Sequence, residues 1–347
     1  MPSSIPTVRS LARELGLSPT TVSEALRGSA RVNAGTVRRV QDAARRAGYR
    51  RNPLAGSVMA ELRRSRTATI HGTIALVDSL ELRRPQPKSR FRQEQIRGIG
   101  ERAAELGFQV DVFTVGQNGL TVTRLAAILH TRGILGALLL PVWDEPDFRP
   151  LPWKELAGVY LDYSIVQPPL NCVCCDHTRS MHLLLRQLQE RGYRRPGLFV
   201  HRHRNTRLHH CWEGAFRTFV AHTPGLEAVE PLAGDETSRE AFLRWLQAER
   251  PDVVIGHDPV VIKWIQEAGR RVPADCGFAS LNLHLHATPC AGLDQQQALL
   301  AHRAVELVVA QLHRNERGAP TTPAMTSLPA RWVDGPTVRG PVRTVRQ

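Results

Sequence analysis

Two short helical patterns near the N-terminus are separated by only two residues, and this spacing restricts the local fold more than any other feature. In the first pattern Thr7 is a good N-cap, and apolar residues follow at helical intervals until Gly16. Ser18 caps the second pattern, and Pro19 occupies its first helical position. Because only Gly16 and Leu17 separate the first helix from the second cap, the helices must meet at a tight corner. The spacing predicts a helix-turn-helix.

A third helical pattern packs across the first two. It begins at the cap Asn33 and ends at Gly48, and its apolar stripe consists of Val37, Val40, Ala44 and Ala47. Three helices this short bury little surface, which suits a unit that presents one helix outward. The polar face of the second helix contains Thr20, Thr21, Ser23, Glu24 and Arg27. Short hydroxyl side chains allow close approach to phosphates and base edges, so this face is a candidate DNA-reading surface.

Positive charge is concentrated in the same region. Residues 1–66 contain thirteen arginines and four acidic residues, a net charge of +9, in a 347-residue chain with a formal charge of +14. A basic block attached to a nearly neutral body is typical of a module that binds a polyanion. The alternatives are a solvated basic face with no partner and a small helical adaptor with a polar surface. Both are disfavoured because the charge coincides with the helix-turn-helix spacing.

The N-terminal run resembles the lactose-repressor family of bacterial transcriptional regulators. The resemblance is carried by TVRSLARELGLSPTTVSEALRG (Thr7–Gly28), RVNAGTVRRV (Arg31–Val40) and AGYRRNPLA (Ala47–Ala55). It implies that one set of polar residues faces double-stranded DNA: Ser18, Thr20, Thr21, Ser23, Glu24, Arg27, Arg31 and Asn33. We assign Thr7, at the start of the first helix, to the same DNA-binding set.

The resemblance also implies a hinge helix, beginning at Asn52, that folds on DNA and enters the minor groove. The family inserts a leucine between base pairs, whereas this chain has Val58 at that position and Met59 beside it. Either side chain can serve as the wedge. Alternatively, both pack the two hinge helices of a dimer together.

The family usually has arginine where this chain has Glu24, and a carboxylate accepts from the amino group of cytosine instead of donating to guanine. The operator is therefore expected to differ from the commonest sequence.

Beyond residue 67 short apolar strands alternate with amphipathic helices. The predicted strands are 69–77, 108–115, 134–140, 196–200, 253–255 and 277–281, and the predicted helices are 93–106, 121–131, 178–191, 211–222 and 260–268. This alternation favours parallel sheets covered on both faces, arranged as two similar lobes with a cleft between them. The fold class is thus an all-α helix-turn-helix domain with a hinge helix, followed by a two-lobed α/β domain. By resemblance, the latter is similar to periplasmic binding proteins.

The predicted boundaries follow from these patterns. The DNA-binding domain covers 1–50, the hinge and linker 51–66, the effector-binding and dimerisation domain 67–340, and the tail 341–347. Lobe one comprises about 67–162 and 293–325, and lobe two about 166–290 and 328–340. Connections between the lobes are expected near 162–167, 283–293 and 323–329, so that the cleft can close by hinging.

The resemblance further implies an effector-binding set: Asp78, Ser79, Asp162, Arg207, Asp258, Asn282 and Gln295. All but Arg207 and Gln295 lie at or just beyond the ends of predicted strands, where open α/β sheets bind ligands. Carboxylates and amides there suit the hydroxyl groups of a sugar or nucleoside. The alternative for each residue is a loop-capping or surface role. At Asn282 the family usually has aspartate.

Two further patterns are weighed and set aside. Cys172, Cys174 and Cys175 with His177 could suggest a metal, but strand alternation places the cysteines on opposite faces, and we interpret them as core residues. Asp176 or Asp258 with nearby histidines could form an acid–base pair, yet no nucleophile elbow or phosphate loop accompanies them. We therefore predict no metal, no cofactor and no enzymatic activity.

The expected function is allosteric control of transcription by a homodimer on a near-palindromic operator, with repression favoured over activation. Met1–Ser10 has no apolar stretch, and the most apolar run, Gly133–Val142, is too short for a membrane helix, so a cytoplasmic, nucleoid-associated protein without membrane contact is expected. The other classes considered are a cytoplasmic solute-binding protein without a regulatory role and an enzyme that uses the two-lobed fold. Ligand turnover would favour the enzyme.

Overall fold

The structure is a computed structural model that describes residues 8–26, 32–46, 72–79, 90–142, 147–162, 167–234 and 238–342. The chain divides into two compact units, Met1–Thr69 and Ile70–Gln347. Several residues of the predicted DNA-binding set lie outside the described residues: Thr7, Arg27, Arg31, Asn52, Val58 and Met59. The same holds for the predicted hinge helix and for the side chains of Thr20 and Ser23.

The first unit contains three helices, α1 (Val8–Leu15), α2 (Pro19–Leu26) and α3 (Ala34–Arg46). Gly16 ends α1 in the left-handed region, with φ +61°, and the Leu17 amide donates to the Ala12 carbonyl over 2.9 Å. Glycine suits this corner because other residues are strained at positive φ. Ser18 Oγ accepts from the Thr21 amide at 3.0 Å, so the predicted cap of α2 is confirmed.

The core of this unit is small and aliphatic. Its buried members are Leu11, Ala12, Val22, Ala25, Val40, Ala43 and Ala44. On α3 the buried stripe is Val40, Ala43 and Ala44, whereas Val37 is only partly buried. The helical period was predicted correctly over the described residues, although Ala43 was not assigned to the stripe; the predicted member Ala47 lies outside the described residues.

The second unit alternates strands and helices along its whole length. In chain order its main elements are β1 (Gly72–Ser79), α4 (Arg90–Glu105), β2 (Phe108–Val115), α5 (Val122–Thr131), β3 (Gly136–Leu139), β4 (Ala157–Tyr160), β5 (Asn171–Cys175), α6 (His177–Glu190), β6 (Pro196–His201), α7 (Arg202–Arg207), α8 (Cys211–His222), β7 (Leu232–Gly234), α9 (Arg239–Glu249), β8 (Val253–Gly256), α10 (Val260–Glu267), β9 (Gly277–Ser280), β10 (Ala291–Asp294), α11 (Gln297–Arg314), β11 (Met325–Leu328) and β12 (Arg331–Val333).

The strands form two six-stranded sheets, in the order β11-β5-β4-β3-β1-β2 and β12-β10-β9-β8-β6-β7. All neighbouring strands run parallel except β10 and β12, which pair antiparallel at one edge. The central strands are buried throughout, as expected of parallel sheets that carry helices on both faces. The predicted fold class is confirmed, with two lobes that each contain one sheet.

Helices α4 and α11 pack closely against each other, and α11 also covers β3, β4 and β5 of the first lobe. A Cβ at Gly98 of α4 would lie 3.0 Å from backbone atoms of Ala298, so glycine permits this approach. In the second lobe α6 packs on α8, and α9 packs on α10. The largest core cluster continues through both lobes, from Ile74 to Val338.

The chain passes between the sheets after β5, after β10 and after β11. The predicted first connection, near 162–167, is wrong by one strand because β5 pairs with β4 and β11 inside the first sheet. The second follows Asp294 instead of lying within 283–293, because β10 pairs with β9. Both errors arise because the sequence of a short apolar strand does not indicate which of the two sheets the strand joins.

Candidate functional site

A small cavity lies between the two lobes. Its volume is about 80 Å³. This volume is small beside the roughly 300 to 1,000 Å³ of a typical ligand pocket, and residues of both lobes meet around it. Both lobes contribute to the described lining: Phe91, Gln95, Pro141, Leu161, Asp162, Cys174, Cys175, His177, Arg204, Arg207, Leu208, Trp212, His257, Asn282, Leu285, Gln295, Gln297 and Leu300.

An ion pair joins the lobes across this cavity. Asp162 follows β4 in the first lobe, and Arg207 ends α7 in the second. Arg207 Nη1 donates to Asp162 Oδ2 at 2.5 Å and to the Val142 carbonyl at 3.0 Å. The two side chains are only 8 % and 19 % exposed, so the attraction acts in a largely desolvated place. The pair holds the lobes together in this form.

A chain of buried amides runs along one wall. Gln95 Nε2 donates to Gln297 Oε1 at 3.0 Å, and Gln297 Nε2 and Asn282 Nδ2 both donate to Gln295 Oε1 at 3.3 Å. Gln295 Nε2 in turn donates to the Leu281 carbonyl at 2.9 Å. The chain ends at Gln95 Oε1, which is buried and has no hydrogen-bond partner among the described residues. A buried acceptor without a donor is costly, so a ligand hydroxyl or amine would be favourable there.

Aromatic rings form another part of the lining. The His177 ring meets the Trp212 ring edge-on at 4.7 Å between centroids, and the His257 ring lies 6.3 Å from Trp212. Burial lowers the pKa of His177 to about 4, which Asp162 opposes and Arg207 reinforces. Burial, and then the charge of Arg204, lowers the pKa of His257 well below its usual value. Both imidazoles are therefore neutral at pH 7.

The buried His177 makes stability depend on pH. Its folded pKa lies below the usual 6.5, so the unfolded chain binds more protons between pH 6.5 and 4. The stability that this histidine contributes is complete above pH 6.5 and is lost as the pH falls towards 4. Relative to His177→Gln, the wild-type chain is expected to lose about 1 kcal/mol more per pH unit in this window, measured by urea unfolding. His130→Gln, on an exposed histidine, is the matched control for replacing an imidazole by an amide.

Four of the seven predicted effector residues line the cavity: Asp162, Arg207, Asn282 and Gln295. The other three are not among its lining residues. Asp78 pairs with Arg92 at 2.6 Å and accepts from the Ser79 amide at 2.7 Å. Asp258 accepts from the Val260 amide at 3.0 Å. The bonds that these two carboxylates accept from backbone amides correspond to the loop-capping alternative considered from the sequence.

The sequence prediction missed the two histidines and the glutamines of the wall. His177 and His257 directly follow β5 and β8, so the strand-end rule that selected Asp162 could have found them. At β8 the strand-end rule selected Asp258, the residue after His257. Gln95 and Gln297 lie on helices α4 and α11. The sequence signal that could have identified them is a glutamine on the apolar face of each helix.

Two of the three cysteines of β5 pack in different core clusters, as strand alternation predicted. Val173 and Cys175 belong to the largest core cluster, whereas Cys172 packs in a smaller one. Among the described residues, no group of three histidine, cysteine or acidic side chains is arranged to hold a metal ion. Asp176, weighed as part of an acid–base pair, caps α6 by accepting from the Arg179 amide at 2.9 Å.

The candidate DNA-reading surface lies on α2 and at the start of α3. Ser18 and Asn33 are exposed, and Thr21 and Glu24 are half-buried. Ser18 and Asn33 also cap their helices, the latter by accepting from the Gly35 amide at 2.8 Å. Arg38, Arg39, Arg45 and Arg46 are exposed along α3. This unit therefore presents polar and basic side chains around a small buried core.

The comparisons with known proteins agree with this architecture. The profile of the periplasmic binding protein-like domain family matches residues 185–338. The HTH-type transcriptional regulator CelR of Thermobifida fusca is 27% identical over 324 residues, which cover 88% of this chain and 91% of CelR. The HTH-type transcriptional regulator GntR of Pseudomonas aeruginosa is 43% identical over 75 residues, 22% of this chain and 20% of GntR.

Two solved structures share the fold over almost the whole chain. A complex of the transcriptional regulator CelR with cellobiose superposes with a TM-score of 0.56 at 22% identity, covering 96% of this chain and 99% of that one. A lac repressor dimer bound to operator and the anti-inducer ONPF gives 0.54 at 18% identity, with the same coverage.

A helix-turn-helix unit followed by a two-lobed binding-protein-like unit defines a class of transcriptional regulators. The chain resembles regulators of the lactose-repressor family in its N-terminal sequence, in the relatives that it matches and in its fold. Both relatives compared above are HTH-type transcriptional regulators. None of the described helices is both long and apolar enough to span a membrane.

Proposed function

We propose that this regulator represses transcription as a homodimer bound to a near-palindromic DNA operator, and that a small effector between the lobes controls its affinity for the operator. The observation that carries the proposal is the polar cavity between two lobes connected by three chain crossings, in a chain that also contains a helix-turn-helix. The proposed role has no catalytic step, and its place is the nucleoid in the cytoplasm.

The DNA side of the proposal uses the polar face of α2. The residues proposed to contact DNA are those predicted from the sequence: Thr7, Ser18, Thr20, Thr21, Ser23, Glu24, Arg27, Arg31, Asn33, Asn52, Val58 and Met59. Two copies of α2 reading half-sites about one helical turn apart would explain a near-palindromic operator. A repressor is favoured over an activator because a protein that occupies and bends its site obstructs polymerase.

The effector side uses the cavity. Asp162, Arg207, Asn282 and Gln295 are proposed to contact the effector, a sugar- or nucleoside-like molecule, because amides and charged groups there can pair with hydroxyls. The cavity is too small for such a molecule as it stands, so binding requires the lobes to separate. Separation of the lobes would change how the hinge segments are presented to DNA.

The test is DNA selection by the full chain at moderate salt. Fragments from a random pool, and the region upstream of the chain's own gene, are incubated with purified protein and separated by gel shift. Enrichment of one near-palindromic sequence, released by one compound from a panel of sugars and nucleosides, supports the proposal. Binding without any sequence preference rejects it.

Glu24 provides a sharper prediction about specificity. The substitution Glu24→Gln removes the negative charge but keeps the length of the side chain, so the preference for cytosine at one position of each half-site should fall. The expected loss is about 1 to 3 kcal/mol of discrimination, measured as affinity for operators that differ at that base pair. Glu14→Gln, on an exposed residue of α1, is the matched control. Equal profiles for both variants would remove Glu24 from the reading set.

A further inference from the structure

We propose that Gln95 is a specificity-determining residue of the effector site, and that its side-chain oxygen accepts a hydrogen bond from a hydroxyl or amino group of the effector. This inference rests on the proposed function and specifies what the effector presents at one point. Gln95 lines the cavity from α4, and only 1 % of the residue is exposed. Its Oε1 is buried and has no hydrogen-bond partner among the residues that the structure describes.

The direction of the amide chain is fixed at a backbone carbonyl. A carbonyl oxygen only accepts, so the Gln295 atom that lies 2.9 Å from the Leu281 carbonyl oxygen is Nε2, and Gln295 Oε1 accepts from Gln297. Gln297 Nε2 is that donor, which leaves Gln297 Oε1 to accept from Gln95 Nε2. Reversing any one of these amides would bring two oxygens, or two amino groups, face to face. The atom left over at the end of the chain is therefore an oxygen.

A second backbone group fixes the same direction independently. Asn282 Oδ1 accepts from the His284 amide at 3.0 Å, so Asn282 Nδ2 is the atom that donates to Gln295 Oε1. Both backbone groups thus make Gln295 Oε1 an acceptor, and Gln95 in turn presents an acceptor to the effector. A donor at this point completes the chain, whereas an ether oxygen, a fluorine atom or a carboxylate would place two acceptors together.

Helix packing holds the Gln95 oxygen in place. Gly98 lies one turn after Gln95 on α4, and Ala298 directly follows Gln297 on α11. A Cβ at Gly98 would lie only 3.0 Å from backbone atoms of Ala298, so the two helices approach closely beside the amide pair. Groups whose positions are fixed before binding lose less entropy when the ligand arrives. The site can therefore discriminate a donor from an acceptor, because Gln95 cannot turn its nitrogen towards the effector without losing its bond to Gln297.

A complementary group lies on the second lobe. Trp212, in the first turn of α8, lines the same cavity and is fully buried, and its Nε1 has no acceptor among the described residues. An indole N–H only donates, so an effector that satisfies both residues presents an acceptor to Trp212 and a donor to Gln95. Hydroxyl groups serve in both roles, whereas an ammonium group only donates. The two residues therefore favour a molecule with several hydroxyl groups that contacts both lobes.

The first experiment needs no effector and compares urea midpoints of unfolding. Gln297→Met should lower the midpoint, because it leaves both polar atoms of the Gln95 amide without partners. Adding Gln95→Met should raise the midpoint again, since it removes that amide while Gln295 Oε1 keeps its bond from Asn282. Gln266→Met, on an exposed residue of α10, is the matched control and should leave the midpoint unchanged. A double variant less stable than Gln297→Met alone would overturn the inference, because the Gln95 oxygen would then have a partner in the unliganded chain.

The second experiment titrates the full chain by calorimetry with D-glucose, D-galactose, D-ribose, adenosine and cytidine. Each compound is accompanied by its singly deoxyfluorinated derivatives, in which a fluorine atom of similar size replaces one hydroxyl donor. Gln95→Met is expected to weaken the binding of a compound that binds by about tenfold. One fluorinated derivative of that compound should show the same loss with the wild-type chain and no further loss with Gln95→Met. Trp212→Phe, which removes the N–H and keeps an aromatic ring, should weaken the compound independently.

The outcomes separate this inference from the proposed function. Equal affinity of the wild-type chain and Gln95→Met for a compound that binds overturns the role of Gln95 and leaves the effector site intact. A series in which every fluorinated derivative binds as tightly as its parent also overturns it. If none of the five compounds binds, the result counts against the proposed effector class, and the urea midpoints decide the role of Gln95 by themselves.

Discussion

The substitution Asp162→Asn is expected to lower the free energy of unfolding of the second unit by about 2 to 3 kcal/mol. The change removes the carboxylate that pairs with the charge of Arg207 in a largely buried place. The wild-type side chains of Asp162 and Arg207 are only 8 % and 19 % exposed. Breaking a fully buried pair costs more, but partial exposure and the bond to the Val142 carbonyl reduce the effect here. Urea unfolding followed by tryptophan fluorescence measures it, because all six tryptophans lie beyond residue 70.

The matched control is Asp147→Asn. Asp147 also pairs with an arginine, Arg149, but both side chains are at least half exposed. Solvent screens such a pair, so the urea midpoint of Asp147→Asn should equal that of the wild-type chain. If the two substitutions have the same small effect, another group neutralises Arg207, and the cross-lobe pair does not stabilise the closed form.

Deletion of residues 1–66 is expected to reduce affinity for the selected operator at least about 1000-fold, the usual interval between specific and nonspecific binding. The deletion removes the three helices and a net charge of +9. The slope of the logarithm of affinity against the logarithm of salt concentration should become shallower as phosphate contacts are lost. Binding of the effector to the second unit should persist.

A control for the loss of charge uses arginines of the second unit. Arg179 and Arg186 are exposed on α6, and their double substitution by glutamine removes positive charge outside the helix-turn-helix. This variant should bind the operator as the wild-type chain does. Retention of operator affinity after the deletion would place the DNA-reading surface elsewhere in the chain.

Local structure was largely predictable from the sequence. The predicted strand 108–115 and helix 211–222 coincide with β2 and α8, and Ser18 caps α2 as its position indicated. These features depend on near neighbours: hydrophobic period, a hydroxyl before an apolar run, and a glycine at a corner.

The tertiary features were predictable only in part. The strand-end rule found Asp162 and Asn282, but it also selected Asp78, which is paired with Arg92. Nothing in the local pattern distinguishes an acid that faces a cavity from one that faces a nearby arginine. The pairing of β5 with β11, about 150 residues later in the chain, likewise depends on contacts that local periodicity does not encode.

The crossings between the lobes also constrain the order in which the chain can fold as it leaves the ribosome. The first sheet is incomplete until β11 emerges, and the second until β12, although these are the last two strands of the described chain. Until then β5 and β10 present unpaired edges, which are sites of unwanted association. The two sheets are therefore completed together, only after both of these strands have been synthesised. A nascent chain that stops before residue 325 is expected to depend on chaperones or be degraded, since neither lobe can finish alone.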